Sequence, residues 1–468
     1  MRRGVRRDPW FSTTKVLSHA SPNGIKTRAL LWLLGSVVWV GVAFRHDCTW
    51  TPQLLASVAL LWSWSDEPTL VERFFAARRI AVFLFPRQED PASSYQAFMT
   101  LLRRWTPALV ACFQAARQAR LQTDLATQST LFGFLAFGVD GSKADLPRTR
   151  SNELAYAASR PGKNKKPSKR KRGPQAAAHT RKADTPQMWI TTLWQMATGL
   201  PWTWRTGPAD SSERSHLLEM LASLPAAALV AADAGFVGYD YVKAIVDGGR
   251  HYLIRVGSNV TLLKSLGYAR ESHGTVYLWP ERAAQSKLPP IVMRLVIVHN
   301  GRHPVYLVTS VLSKSRLSDS QVARLYARRW GIELFYRSLK QTFGRRKLRS
   351  GSADNARVEL EWSLMALGAM ALYARIESTR HGVESTGMSI AGVLRAFRRA
   401  LRDYRHARMR GDSLLVSLRT AVIDSYERGD KSSRNYPRKK QDSPPGPPQI
   451  NPATRTQITR AQSLRDKA

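Results

Sequence analysis

Cysteine is nearly absent: the 468 residues hold two, Cys48 and Cys112. That excludes a disulfide framework and a cysteine-rich zinc site, and it suits a reducing cytoplasm. Acidic residues are scarce as well, 34 Asp+Glu against 72 Lys+Arg, for a formal net charge of +38. Apolar runs stay short. Ala29–Phe44 and Cys48–Trp64 are uncharged, but both fall below the roughly 20 residues a membrane span needs. The first follows a basic leader, and no small-residue cleavage site comes after it, so neither a span nor a secretory signal is expected. Both runs read as buried helices of a compact domain.

What is present points elsewhere. Hydrophobic residues make up 43% of the chain and Trp occurs 14 times, enough for substantial cores and for about three domains by length. A pI near 11 calls for a polyanionic partner. Nucleic acid leads because phosphate neutralisation dominates its affinity, with a ribosomal or anionic-membrane role as the alternative. Charge alone does not separate a DNA binder from a DNA-cutting enzyme.

Texture along the chain changes in steps. Helical spacing dominates from Ile25 to Thr123, which predicts a helical N-terminal DNA-binding domain over 1–125. Residues 131–139 (LFGFLAFGV) read as a strand ending at Asp140-Gly141-Ser142. A stretch without acids follows, with ten Lys/Arg between Leu154 and Ala183, and it reads as a basic loop at 160–182. Strands at Met188–Met196 and Pro201–Arg205, a helix at Ser212–Ser223 and an apolar run ending at Asp233 complete the first part of an α/β core over 126–237. Alternating segments predict a β-rich insertion and return strand over 238–312. A long amphipathic helix is expected to begin near Leu317 within 313–350, capped by Ser318 or Asp319. A helical C-terminal region over 351–428 and a basic, Pro-rich, disordered tail over 429–468 end the chain.

The long helix is the informative one. From Ser320 to Ala353 there are nine Lys/Arg and a single acid, Glu333. At 100° per residue, Tyr326, Arg329, Glu333 and Lys340 share a stripe about 60° wide, beside the apolar face of Leu325, Ile332, Phe335, Leu339 and Phe343. A lone carboxylate among cations at the edge of a packed face suits a site holding both a metal and a phosphate. An i,i+4 ion pair on a solvated face accounts for the same residues about as well. Asp140 and Asp233 each close an apolar strand-like run, and active residues of open α/β sheets gather at such strand ends. A single Asp there more often caps a turn. Three carboxylates without His or Cys suit Mg²⁺ or Mn²⁺, and two such ions can activate an attacking hydroxyl and stabilise a leaving oxygen.

The spacing Tyr326-x2-Arg329-x3-Glu333-x6-Lys340, within YARRWGIELFYRSLKQTFGRRKLRSG, resembles the Y-(2)-R-(3)-E-(6)-K signature of DDE transposases of the insertion-sequence-4 family. DGS at Asp140 with LPRTRSN, TPQMW and TGLPWTWR, and DAGF at Asp233 are similar to other parts of that family. The resemblance covers roughly 50–420. It implies an α/β fold with a ribonuclease-H-like catalytic core interrupted by a β-rich insertion between the second Asp and the Glu, and helical regions at both ends. It also implies cut-and-paste transposition through a DNA hairpin on terminal inverted repeats and target DNA, with two protomers in a synaptic complex. By the resemblance Asp140, Asp233 and Glu333 hold two Mg²⁺ or Mn²⁺ ions, and Tyr326, Arg329 and Lys340 hold the phosphate. A Trp of the insertion takes up a flipped base, for which Trp279 is the candidate. The localisation implied is cytoplasmic, with the nucleoid. Two other readings stay open: a catalytically inactive or domesticated copy that binds element ends, and a non-enzymatic basic scaffold for RNA.

Overall fold

The computed structural model describes residues 24–45, 48–85, 94–158, 185–299, 303–380, 382, 387–404, 414–423 and 446–466. The expected basic loop at 160–182 lies outside them. The chain divides into two units, one drawn from 1–116, 369–383 and 388–422, the other from 117–368, 384–387 and 423–468.

The first unit is helical. Its N-terminal elements are α1 (Gly24–Leu34), α2 (Pro52–Trp64), α3 (Leu70–Leu84) and α4 (Tyr95–Asp124), the last assigned to this unit up to Ala116. At the start of α2, Thr51 accepts from the Leu54 amide and Pro52 sits in the first turn, where a missing N–H leaves nothing unpaired. Every residue from Leu54 to Trp64 is buried, so this uncharged run is a core helix. Phe98 stacks on Phe74 at 4.8 Å between centroids and meets the edge of Trp62 at 6.0 Å. The Ala29–Phe44 run is helical only as far as Leu34. Gly35 and the β-branched Val37 and Val38 follow, and Val38 and Val40 are 72% and 73% exposed. Among the described residues no helix is long and apolar enough to cross a membrane.

The second unit is built on one sheet. Its strands are β1 (Ala136–Asp145), β2 (Gln187–Gln195), β3 (Leu200–Gly207), β4 (Leu229–Ala232), β5 (His251–Val256), β6 (Thr261–Lys264), β7 (Thr275–Leu278), β8 (Ile291–His299), β9 (Pro304–Thr309) and β10 (Gln449–Pro452). They lie in the order β10-β6-β7-β8-β9-β5-β4-β1-β2-β3. β1, β2 and β3 pair antiparallel, whereas β1, β4 and β5 are parallel. The parallel strands β4 and β5 are joined through α7 (Tyr239–Asp247), the crossover that parallel pairing requires. Other connections carry α5 (Arg150–Tyr156), α6 (Glu213–Leu221) and α8 (Glu281–Gln285). After β9 come α9 (Asp319–Arg328), α10 (Gly331–Arg337) and α11 (Ala353–Arg380), the last assigned here up to Gly368.

Four features differ from the sequence reading or go beyond it. Asp140 does not end a strand: β1 runs on to Asp145, paired with β2 along its whole length. The sequence leaves open where the β-rich insertion over 238–312 sits. β9 pairs antiparallel with β5, so β6–β9 extend the same sheet, and β5 itself precedes them. The C-terminal helices α12 (Ile390–Arg402) and α13 (Leu414–Arg419), with the end of α11, belong to the first unit, where Phe397 packs on Trp64 at 5.0 Å. Hydropathy cannot reveal such a return, because an apolar helical face matches any apolar partner. Finally, part of the polar tail is ordered. β10 adds parallel to the edge strand β6, and α14 (Arg455–Arg465) follows behind a capping box of Thr454 and Gln457. Edge pairing uses backbone groups, which composition does not report.

Candidate active site

Register places the two aspartates side by side. β1 and β4 pair Ala136 with Leu229, Phe137 with Val230 and Gly138 with Ala231. The same offset carried two residues on sets Asp140 beside Asp233, on strands about 4.8 Å apart. β4 ends at Ala232, so the flank of β1 beyond Gly138 is free of its parallel neighbour, and that opens the crevice a mid-strand Asp140 needs. β4 and β5 pair Ala232 with Ile254, which by the same step sets Arg255 beside Asp233. Each aspartate also makes a local bond. Asp140 Oδ1 accepts from the Gly141 amide at 2.9 Å, and Asp233 Oδ1 from the Gly235 amide at 2.8 Å. The turn-capping role of Asp233 and its place in the site therefore coexist.

The expected single helix is broken in two. Backbone bonds from Arg329 to Tyr326, Trp330 to Ala327 and Glu333 to Trp330 tighten the chain between α9 and α10. A wider π turn follows at Ser338–Thr342. At this junction Gly331 packs closely on Trp194, where a Cβ would lie 2.6 Å from Cζ2 and 2.8 Å from Cζ3. Without a side chain, α10 reaches the sheet. The buried Tyr336 hydroxyl then donates to the Asp140 carbonyl at 2.8 Å and ties α10 to β1 beside the aspartate. The Arg329 stem lies against Gly138, where a Cβ would make an ordinary contact at 3.6 Å.

Arg329 is the buried cation of the site, 7% exposed. Its Nη1 stands 3.7 Å from Asp140 Oδ2, and its Nε has no hydrogen-bond partner. Its guanidinium also lies 5.4 Å from the centroid of the Tyr326 ring. Burial pushes the Tyr326 hydroxyl up, against Arg329 and Arg255, which pull it down. Burial likewise raises the Asp140 carboxyl, the Gly141 amide and Arg329 hold it back, and Asp233 and Glu333 raise it further. Glu333 itself is exposed on the first turn of α10. The structure thus gathers Asp140, Asp233, Glu333, Tyr326 and Arg329. Lys340 is elsewhere, on the π turn. Burial lowers its ammonium, and the charges acting on it are Asp145 and Arg346, roughly 16 Å along β1 from Asp140.

Residues 139–368, which include all three carboxylates, match the family described as the transposase DDE domain. Over that stretch the chain is similar to a transposase DDE domain. Over 184 residues it is 27% identical to the transposase InsG for insertion sequence element IS4 of Escherichia coli strain K12, covering 37% of this chain and 41% of that one. The match therefore spans about two fifths of that relative's length. A cryo-electron-microscopy structure of the piggyBac transposase synaptic complex with hairpin DNA aligns over 88% of this chain and 86% of that one, at 12% identity and a TM-score of 0.37.

Donor chemistry of the three carboxylates is oxygen only, which fits a hard divalent cation. Among the described residues, however, no three His, Cys, Asp or Glu side chains close on one point. Trp279 does not suit its expected role. It is 5% exposed and its indole donates to the Leu288 carbonyl at 2.9 Å, so its ring offers no free face for a base. Trp330, between Arg329 and Glu333, is 60% exposed.

Glu213, at the first position of α6, is the residue the sequence reading missed. A first-turn Glu behind an N-cap Ser ordinarily complements the helix dipole and attracts no notice. Here its carboxyl is pushed up to about 7, by burial first and then by Asp140 and Asp233. A carboxyl raised in the folded state releases its proton earlier in the unfolded chain, so stability declines as pH rises from about 4.5 to about 7. In protein held in EDTA, Glu213→Gln is expected to match the wild type near pH 4.5. At pH 8 it should be more stable, by on the order of 1 kcal/mol after allowance for its half-exposed carboxyl. Denaturant midpoints at the two pH values check this.

Proposed function

We propose that the chain is a DNA transposase that binds the terminal inverted repeats of an insertion sequence and carries out metal-dependent cut-and-paste transposition, by nicking, hairpin formation and resolution, and strand transfer. The observation that carries the reading is that Asp233, just past the end of β4, comes close enough to Asp140 of the neighbouring β1 for the two carboxyls to act on each other, beside a buried Arg329 with an unpaired Nε. Similarity to the IS4 transposase supports the insertion-sequence part. The order β3-β2-β1-β4-β5, antiparallel then parallel, supports a ribonuclease-H-like core.

Asp140, Asp233 and Glu333 would hold Mg²⁺ or Mn²⁺, two ions in this reading, which when bound supply positive charge to the phosphoryl oxygens and acidify an attacking hydroxyl. The chain's own groups do the rest. Arg329, oriented by the Tyr326 ring and by Asp140, offers its unpaired Nε to a phosphate oxygen. Tyr336 fixes the strand that carries Asp140. Exposed Arg324, Arg328, Arg337, Arg346, Lys347 and Arg349 give a cationic surface for the DNA backbone. Trp330, rather than Trp279, has the open ring on which an unpaired base could stack. Lys340 would contact the backbone further along. Two protomers would synapse two element ends.

The test is incubation of the full chain with inverted-repeat duplex and Mg²⁺, followed on denaturing gels. Nicks at the element boundary and a hairpin product are expected. Specific binding without cleavage in either Mg²⁺ or Mn²⁺ would instead mark an inactive, end-binding copy, and preference for RNA would overturn the assignment.

A further inference from the structure

One side of β1 is lined by β2 as far as Asp145. On its other side β4 pairs only with 136–138, and a different segment takes up the far end. The Asp145 amide donates to the Arg346 carbonyl and the Asp145 carbonyl accepts from the Leu348 amide, both at 2.9 Å, in a parallel bridge of Asp145 with Lys347. Among the described residues β1 has no strand partner on that side between Gly138 and Asp145, and Asp140 lies in that gap. Segment 345–351 therefore forms the far end of the crevice, roughly 16 Å along β1 from Asp140.

The segment is held from two further directions. At the start of α5 the Thr149 hydroxyl donates to the Gly351 carbonyl at 2.6 Å, and the Asn152 side-chain amide donates to the Ser350 carbonyl at 3.1 Å. On α11, Glu359 is 1% exposed. Its Oε2 accepts from the Arg349 amide at 3.0 Å, the Ser350 amide at 3.0 Å and the Ser350 hydroxyl at 2.8 Å, and its Oε1 from the Arg349 amide at 3.2 Å. Arg345 Nε donates to the Ser363 hydroxyl of α11 at 2.7 Å. Arg345, Leu348 and Ser350 are thus buried anchors, whereas Arg346, Lys347 and Arg349 are exposed. Among the described residues none of these three cations makes an ion pair. Burying a carboxylate without a cation is costly. What it secures here is a fixed backbone beneath three exposed positive charges.

We infer that 345–351 is a preformed clamp for the phosphates of a DNA duplex lying along the crevice, and that Glu359 is the positioning residue that holds Arg349 in it. This rests on the function proposed above and singles out one part of its cationic surface. Base pairs recur about every 3.4 Å of duplex axis, so the clamp meets the duplex about five base pairs from the phosphate at Asp140. A backbone fixed in advance also limits the ordering cost of each contact.

Binding of an inverted-repeat duplex by the full chain, followed as a function of salt, tests both parts. Combining Arg346→Gln, Lys347→Gln and Arg349→Gln alters exposed side chains only, and the slope of log Kd against log salt should fall by about three. A neutral methylphosphonate about five base pairs from the cut, placed on either side in turn, should weaken wild-type binding several-fold at one position and leave the combined variant unaffected. Glu359→Gln removes a negative charge, which by itself would strengthen DNA binding. Its amide nitrogen cannot accept from Arg349, however, so binding should instead weaken several-fold. In an Arg349→Gln background the same change should add nothing. A wild-type salt slope in the combined variant overturns the clamp, and cleavage of the duplex by the wild type would then leave the proposed function standing. Additive effects of Glu359→Gln and Arg349→Gln, or undiminished binding by Glu359→Gln, remove Glu359 from its positioning role. If the wild type neither binds nor cleaves the duplex, the proposed function falls and the clamp with it.

Discussion

Asp140→Asn, Asp233→Asn and Glu333→Gln are each expected to reduce cleavage of inverted-repeat ends by roughly a thousandfold, about 4 kcal/mol of transition-state stabilisation. DNA binding, measured by gel shift, should change little, because phosphate contacts by exposed Arg and Lys supply most of that affinity. The near-isosteric amides keep the local bonds. Asn at either aspartate position can still accept from Gly141 or Gly235, so β1 and the Asp233 turn stay in place. What each variant loses is one negative charge facing its neighbours, and with it the attraction for a divalent cation. Asp140→Asn has a further consequence, since Arg329 then lacks the carboxylate 3.7 Å away that accounts for its burial. Full cleavage by any of the three variants would remove that residue from the site.

The second large effect is expected at Gly331. Trp194 is packed against three glycines: a Cβ on Gly138 or Gly199 would meet its ring at 3.8 Å and 3.7 Å, and one on Gly331 would lie inside it. Gly331→Ala therefore cannot be relieved by a small turn of a side chain. Either the indole leaves a buried position or α10 withdraws from the sheet. Overpacking of this kind costs about 1–3 kcal/mol, and a thermal midpoint lowered by several degrees is the expected reading. Cleavage should fall further than stability, because Glu333 lies two residues along the displaced helix and a misplacement of about 1 Å costs on the order of a hundredfold. Trp194→Leu combined with Gly331→Ala makes room for the new methyl and should recover part of both losses. Recovery of stability without cleavage would show that the indole, and not the helix position, matters for the chemistry.

Much of the proposed site was legible before any coordinates, and the reasons are particular. Asp140 and Asp233 stand out because each follows a run of apolar residues and precedes a small one. Glu333 stands out because it is alone among cations. Arg329, Glu333 and Tyr326 fall on one stripe even though the helix carrying them is broken, since the break at Arg329 and Trp330 tightens the turn without reversing the chain. Lys340 lies past that break and within the π turn, and there the periodicity no longer applies. Trp279 shows the limit of residue type as a guide, because its burial depends on Leu288 and the segment around it. Glu213 shows the opposite error: a helix-capping context hid a carboxyl that packs against Gly141 of β1.

Composition and local pattern thus determined the strongly basic charge, the scarcity of cysteine, the strands and helices of the core and three candidate carboxylates. These depend on residue type and short-range spacing, which a linear chain displays directly. Tertiary structure alone decided that Asp140 lies mid-strand near Asp233, that Gly141 and Gly331 leave room for Glu213 and α10, and that the insertion and part of the tail extend one sheet. Each of these is a matter of register or close approach between residues distant in the chain. They are set by backbone hydrogen bonds and by the absence of a side chain, neither of which carries a sequence signature of its own.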